Sequence, residues 1–592
     1  MQLTALDWWV VGGYMFVALA IGLYFTRRAS SGMDEFFLSG RKLPWWLLGT
    51  SMVATTFSTD TPNLVTDLVR NGGVSANWAW WAFVITGMCT VFFYAKLWRR
   101  SGALTDMGFY ELRYSGRPAA FLRGFRALYL GVFFNVMIMA TVTLAAIKIS
   151  GVLLGLDKYT TVIVAGAVTA VYSASAGLWG VVVTDLLLFV IAMVGSIAAA
   201  VYALQQPAVG GLSGLISNPA VVDKLSFLPD PGDPHTFLTL LIIPIAVQWW
   251  STWYPGAEPG GGGYVAQRML AARSEKESML STLWFNVAHY ALRPWPWILV
   301  ALCSLLVYPT LESIQASFPN LDPSIIRHDL AYPAMLVFLP SGLLGVAVAS
   351  LAAAYMSTIS THLNWGASYL VDDFYRRFFK PQADDRHYVQ VGRIATILLI
   401  LLASFVALWL QNALQAFQIL LQIGAGTGLI FLLRWFWWRI NAWSEISAMV
   451  ISFLVAVWFQ FFHEPLGFPV WHSSIRLVVG VVITTAVWVA VTYLTRPADR
   501  ATLQSFYDRI RPLGPGWRAA VDTSAVESER GDESVTAAVL CWFLGVVAVY
   551  TALFGTGFLL YGRVVPGVVA FVLFALIARS LFRLLPRVGF AT

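Results

Sequence analysis

Residues 49–69 read GTSMVATTFSTDTPNLVTDLV, an apolar run that fills with polar side chains in its middle. Between positions 54 and 66 it carries six Ser or Thr residues together with Asp60 and Pro62. Proline removes a backbone donor and clashes with the preceding turn, so a helix here is expected to break. Backbone at membrane depth is irregular only where protein or a watery cavity satisfies it. A second stretch has the same character. Residues 253–268, WYPGAEPGGGGYVAQR, hold two prolines, five glycines and Glu258. Glycine runs favour unwinding. The two breaks fall five spans apart, and five crossings turn a repeated unit upside down, which points to an inverted-repeat transporter.

The composition agrees with a membrane setting. Charged residues are 12% of the 592 positions, 58% are hydrophobic and 15% aromatic, where a soluble domain has about 25% charged residues. Apolar runs of about 20 residues, each enough for ~30 Å of hydrocarbon, recur along almost the whole chain. Fifteen spans are expected: 7–26, 43–66, 76–98, 127–154, 160–176, 178–203, 236–258, 280–308, 339–368, 391–411, 414–436, 443–462, 475–495, 536–556 and 562–582. The chain reads as an all-α polytopic membrane protein. The first run has no basic residue before it and is read as a retained span. Residues 496–535, with DRIRPLGPGWRAA and the charged run ESERGDES, read as a surface helix and cytoplasmic linker before two C-terminal spans in 536–592.

Lys and Arg set the expected orientation. With the N-terminus outside, inner loops and span ends collect thirty of the thirty-eight, six fall in outer loops, and Lys148 and Arg293 lie within spans. The C-terminus is then cytoplasmic, in a cell membrane. The net charge of +7 is spread over many short loops, so it serves topology and excludes a nucleic-acid surface. Cys89, Cys303 and Cys541 lie far apart within spans, as small buried hydrophobes do.

The chemistry concentrates in MSTISTHLN, residues 356–364. Ser357, Ser360 and Thr361 share a helical face, and Thr358 lies 100° round from Ser357. One such hydroxyl is ordinary helix–helix glue. Four in five positions suit a hard monovalent cation that takes oxygen ligands, and a broken helix supplies the freed carbonyls that complete its shell. Asp185, in GLWGVVVTDLLLFV (177–190), is the expected third partner. A carboxylate inside an apolar span costs ~2.5 kcal/mol or more and demands a partner.

For a solute, the candidates line the breaks. Trp249, Trp253, Tyr254 and Glu258 lie at the second break, and Asn286, His289 and Arg293 are spaced i, i+3, i+7 on one helical face. Arg293 either forks onto a solute carboxylate or pairs structurally with Glu258 or Asp60. Lys148 can snorkel to the outer interface.

Together these segments resemble the sodium:solute symporter family, which contains sodium–glucose, sodium–proline, sodium–sialic acid and sodium–pantothenate cotransporters. The resemblance is carried by DEFFLSGRKLPWWLLGTSMVA (34–54), GFYELRY (108–114), SAGLWGVVVTDLLLF (175–189), YVAQRMLAARSEKES (264–278), LAAAYMSTISTHLNWGASYLVDDFY (351–375) and LLRWFWWRI (432–440). It covers roughly residues 1–495. It implies a LeuT-type ten-helix core over 43–436, built of inverted repeats 43–203 and 236–436. That core would be flanked by the leading span and loop of 1–42 and by two peripheral spans in 437–495. It implies a common sodium site of the Ala54 and Phe57 carbonyls with Ala354, Ser357 and Thr358. A shifted register gives Phe57 and Asp60 instead. It also implies a second site of Asp185, Ser360 and Thr361, and so two sodium ions per solute. Asp60 and Thr61 are candidates for either sodium or solute.

The implied activity is sodium-coupled import of a small polar solute, whether sugar, amino acid or organic acid, by alternating access. Na+ is the coupling ion and no cofactor is expected. A sodium-dependent sensor without transport is the alternative; an intramembrane enzyme is disfavoured, because GLSG (211–214) lies in an outer loop. The chain has neither an H-E-x-x-H nor a P-loop motif, so zinc hydrolysis and ATP-driven pumping find no support.

Overall fold

A computed structural model describes residues 3–29, 31–252, 258–321, 323–410, 423–424, 426–529 and 533–589. Its helices are α1 (Ala5–Ala29), α2 (Trp45–Thr55), α3 (Asp60–Gly72), α4 (Val74–Ser101) and α5 (Gly116–Leu154). There follow α6 (Lys158–Leu204), α7 (Pro234–Ala246), α8 (Gly263–Ala271), and α9 (Glu275–Val307) and α10 (Leu343–Arg376). The chain continues through α11 (Asp385–Trp409), α12 (Ala442–Phe462) and α13 (Ser473–Leu494). It closes with α14 (Arg500–Ile510), α15 (Val535–Leu560) and α16 (Val564–Leu584).

Eleven helices among the described residues are long and apolar enough to cross a membrane. The count of fifteen single spans is not reproduced, and the four others each have a local reason. The run 43–66 divides into α2 and α3. The run 160–176 is the first part of α6, which turns sharply at Gly177 with φ 56°. A side chain at that angle is strained, so glycine marks the joint between two helices. The run 236–258 holds the short α7 and irregular backbone over 247–252, and its residues 253–257, like much of 414–436, lie outside the described residues.

The two broken units touch through backbone. Leu43 N donates to Ala271 O at 3.4 Å, and Arg273 N donates to Leu43 O at 3.3 Å. This joins the start of α2 to the end of α8. The helix α10 runs through the middle of the bundle and packs on α6, where Gly195 lets the two approach at Ala347 and Ser350.

The leading helix is fastened to α10 by a carboxylate. Asp7 accepts from Gly342 N at 2.7 Å and Gly345 N at 2.8 Å, and from the Thr4 hydroxyl at 2.7 Å. The first N–H groups of a helix have no partner within it, so Asp7 caps α10 from another span.

Within 496–529 the surface segment packs inward against the bundle. Phe506, Tyr507 and Ile510 of α14 are buried, as is Trp517, whose indole donates to Trp435 O at 3.1 Å. Glu533 accepts from Lys96 at 3.2 Å and Arg100 at 3.4 Å.

A methyl group at Gly345 would stand 2.7 Å from the Asp7 backbone. Gly345→Ala is therefore expected to cost about 1–3 kcal/mol, as overpacking does, and to lower the melting temperature in detergent. An unchanged melt would show that the α1–α10 contact contributes little.

Candidate functional site

The break between α2 and α3 frees carbonyls that elsewhere in a helix would be bonded internally. Four of them have partners within the protein. Val53 O accepts from the Thr56 amide at 2.9 Å and the Thr56 hydroxyl at 2.7 Å. Thr55 O accepts from the Thr358 hydroxyl of α10 at 2.8 Å. Thr56 O accepts from Arg293 and, at 3.1 Å, from the Thr61 hydroxyl. Ala54 O accepts from Phe57 N at 2.9 Å and retains a second lone pair.

One turn away lies a buried cluster around Asp185, itself completely enclosed on the second half of α6. Its two oxygens accept from Ser357 of α10 and Ser51 of α2, each at 2.5 Å. Arg268, on α8, is equally enclosed. It donates to the Thr361 hydroxyl at 2.9 Å and to Ser51 at 3.2 and 3.3 Å, and stands 3.9 Å from Asp185. The Thr55 and Thr361 hydroxyls are 3.2 Å apart. Ser360 turns back to its own helix and donates to Ser357 O at 3.1 Å. Of the expected hydroxyls, Ser357 thus reaches Asp185, Thr361 reaches Arg268, and Ser360 reaches neither. Ala354 is buried on the same helix.

The charge pattern places Arg268, like Lys96, Arg113, Arg126 and Arg434, at inner loops and span ends, yet among the described residues all five are buried. The signal at Arg268 was its place in GYVAQRMLA, directly after the broken span. Ser51 could be read as the i−4 neighbour of Thr55 on one face of α2. Neither carries an unusual local pattern.

The solute candidates separate into groups. Trp253 and Tyr254 lie outside the described residues. Glu258 pairs with Arg126 and stands 4.0 Å from Arg434, so it is not the partner of Arg293. Asn286 donates to Thr282 O at 2.8 Å and rests against Gly87. His289 and Arg293 are carried on a wide π-type turn, Ala288–Leu292, in which Arg293 N reaches back five residues to Ala288 O at 3.3 Å. Pro294, which cannot continue the regular ladder, sits immediately after it. The turn aims both side chains at the break. His289 Nδ1 lies 2.9 Å from the Thr56 hydroxyl. Arg293 donates to Thr56 O and to His289 O, the latter at 3.2 Å, and its guanidinium lies over Phe57 at 5.2 Å and Trp297 at 5.1 Å. It caps the carbonyl end of α2, where a cation is favoured.

Asp60 Oδ1 and both polar side-chain atoms of Asn63 are enclosed on the first turn of α3 without a hydrogen-bond partner among the described residues. Such groups call for a ligand or water. Asn63 was not singled out from the sequence. Beyond the spans, Asp106 ties the two halves: it accepts from Gly263 N of α8 at 2.7 Å and from Tyr369 of α10. Burial pushes its carboxyl up to about 6.

A family model described as "Sodium:solute symporter family" matches residues 36–452. The chain belongs to that family. It is a multi-pass membrane protein that couples movement of a solute to sodium, and the family is one of transporters. It is 25% identical over 484 residues to a sodium/glucose cotransporter of Vibrio parahaemolyticus, covering 79% of this chain and 87% of the relative. It is 24% identical to a sodium/sialic acid symporter of Proteus mirabilis (strain HI4320), covering 76% of this chain and 88% of that one. A solved structure of a Na+-coupled sialic acid symporter, substrate-bound and outward-open, superposes with a TM-score of 0.68 at 20% identity, over 84% of this chain and 99% of that one. The shared fold is the LeuT-type arrangement.

Because Arg293 is used up inside the protein, Arg293→Lys is expected to lower the yield of folded protein and leave the apparent solute constant of the surviving fraction nearly unchanged. Each buried acceptor it abandons costs about 1–3 kcal/mol. Normal yield with a raised solute constant would instead make Arg293 a solute clamp.

Proposed function

We propose that this symporter imports a small, neutral, polyhydroxylated solute through a site at the break between α2 and α3. The observation that carries the reading is the approach of α10 to that break, with the Thr358 hydroxyl on Thr55 O at 2.8 Å and Ser357 turned to Asp185 at 2.5 Å. A hydroxyl row, a broken helix and a carboxylate at one depth are what a sodium site needs. The common sodium is assigned to the Ala54 and Phe57 carbonyls with Ala354, Ser357 and Thr358. The core is 43–436, entered from the side on which the N-terminus lies, and transport proceeds by alternating access.

The solute class follows from what is free and what is taken. Arg293 is committed to Thr56 O and His289, so no guanidinium at the break is spare for a carboxylate. Asp60 and Asn63 offer unbonded polar atoms that suit hydroxyl groups. Relatives of this chain include sodium/glucose, sodium/mannose and sodium/myo-inositol cotransporters, which fits a sugar or cyclic polyol. Uptake by the purified protein in liposomes, driven by an inward sodium gradient, tests this directly. Uptake of an amino acid or a carboxylate, with no uptake of sugars or polyols, would overturn it.

Asp185, Ser360 and Thr361 form the region that family resemblance assigns to a second ion. Arg268 already stands beside it, 3.9 Å from Asp185. Two cations this close in a low-dielectric interior repel strongly, so we read the region as one that sodium and the guanidinium occupy in alternation. Current measured against flux for a neutral solute is then expected to give one charge per solute, not two. Each charge is worth ~2.3 kcal/mol per 100 mV. A ratio of two with sigmoidal sodium dependence would restore the second ion.

Ser357→Ala and Thr358→Ala are each expected to raise the sodium concentration for half-maximal uptake about tenfold, as for one charge-assisted contact of ~1.5 kcal/mol. Unchanged sodium activation in both variants would remove the common site from this position.

A further inference from the structure

A cavity of about 200 Å³ lies between α1, α5, α6 and α10. Its mouth is formed by Trp8 and Val164, which are 53% and 55% exposed on the outside of the bundle. Its floor is formed by Thr59, Tyr355 and Met356, all buried. Trp8 lies on α1, which is long and apolar enough to cross a membrane, and the exposed residues Ile163, Val164 and Val171 of α6 are all apolar, so the mouth is set in an apolar outer face of the bundle.

The lining has little to offer a polar guest. Its hydroxyls are already bonded within the protein. Thr59 donates to Val142 O at 3.0 Å, and Thr161 donates to Asp157 O at 3.0 Å. Ser150 donates to Ile147 O at 3.1 Å, and Tyr355 lies 3.3 Å from the Thr143 hydroxyl. The rest of the wall is largely aliphatic. An apolar cavity of ~150 Å³ stays dry and accepts a guest the size of benzene, so this one suits an apolar guest rather than water or a sugar.

We propose that one acyl chain of a bilayer lipid enters through the mouth between Trp8 and Val164 and rests with its methylenes against Tyr355 and Met356. Continuity with the hydrocarbon layer selects this occupant: the acyl chain is the apolar group present at that depth in every membrane. The site is separate from the sodium and solute positions, yet its floor includes Met356, the residue before Ser357, and Thr59 of the break. The occupant would support the side of α10 opposite its contact with Asp185.

The test uses the full chain in phosphatidylcholine vesicles containing a phosphatidylcholine with a diazirine in mid-chain. After illumination, labelled peptides are mapped by mass spectrometry. Label is expected at Tyr355 or Met356, as well as on lipid-facing positions such as Phe16 and Leu398. Val164→Trp narrows the mouth at an exposed position, and Ala352→Phe fills the interior. Both are expected to reduce floor label severalfold while leaving label at Phe16 and Leu398 unchanged. Absence of floor label in the unaltered protein overturns the proposal. So does floor label that persists undiminished in Val164→Trp, which keeps the test decisive if Ala352→Phe fails to fold. Loss of floor label on adding a saturating neutral sugar would assign the cavity to solute instead.

Discussion

A peptide carbonyl in hydrocarbon must find a donor inside the protein, and the break between α2 and α3 sets several of them loose at once. The rest of the core is arranged around meeting that demand. Thr358 comes from α10, Arg293 from α9, and Thr56 and Thr61 from the break itself. Each donor fixes the distance of its helix from α2. Of the hydroxyls that crowd one stretch of α10, Thr358 answers this demand, while Ser357 is turned to Asp185, Thr361 to Arg268 and Ser360 to its own helix. A sodium ion at the site proposed above would compete for the same oxygens, so ion binding and helix packing would draw on one set of groups. That would give coupling a physical basis, since the ion would bind tightly only in the arrangement that gathers those oxygens.

Buried charge follows the same logic. Asp185 is bonded to two serines and faces Arg268, while Glu258 is shared by Arg126 and Arg434, and Arg434 also meets Glu445 at 3.3 Å. Removing one member of such a set strands another, which is more damaging than the net worth of the pair. The clusters stand at the ends of the broken segments, where helices from the two halves meet. They specify which helices approach, and the surrounding apolar packing supplies most of the stability.

How much of this was legible depended on whether the cause was local. Pro62, in the first turn of α3, and the glycines of 260–263 act on the backbone close to where they stand, so the two breaks could be read directly, whereas Gly177 shows in the sequence only as the gap between two expected spans. The hydroxyl row was legible because its spacing is helical. Arg268 was not, since an arginine beside a loop looks alike whether it points to water or folds inward, and only the approach of α2 and α6 decides. The partner of Arg293 was missed for another reason. Its true acceptor is a backbone carbonyl, Thr56 O, and backbone acceptors leave no trace in side-chain identity. Asn63 was overlooked because its significance lies in the bonds it does not make.

The parts added outside the core bear on its motion. Asp7 fastens α1 to the first turn of α10, and Glu533 and Trp517 fasten the C-terminal segment to α4 and to Trp435. A second hold is aromatic: the Arg113 guanidinium lies over Phe506 at 5.4 Å and Trp517 at 5.0 Å. The Trp542 indole donates to Ile85 O at 2.8 Å, and Trp295 donates to Leu553 O at 2.8 Å, so α15 grips both α4 and α9. These contacts bridge helices on either side of the α2 break. Any rocking of one half against the other must carry α15 and α16 along or break several buried bonds together. Breaking them at membrane depth leaves donors and acceptors without water, so moving as one body is the less costly course. The C-terminal spans are therefore not loosely appended: α15 is held to α4 and α9 by buried bonds to both.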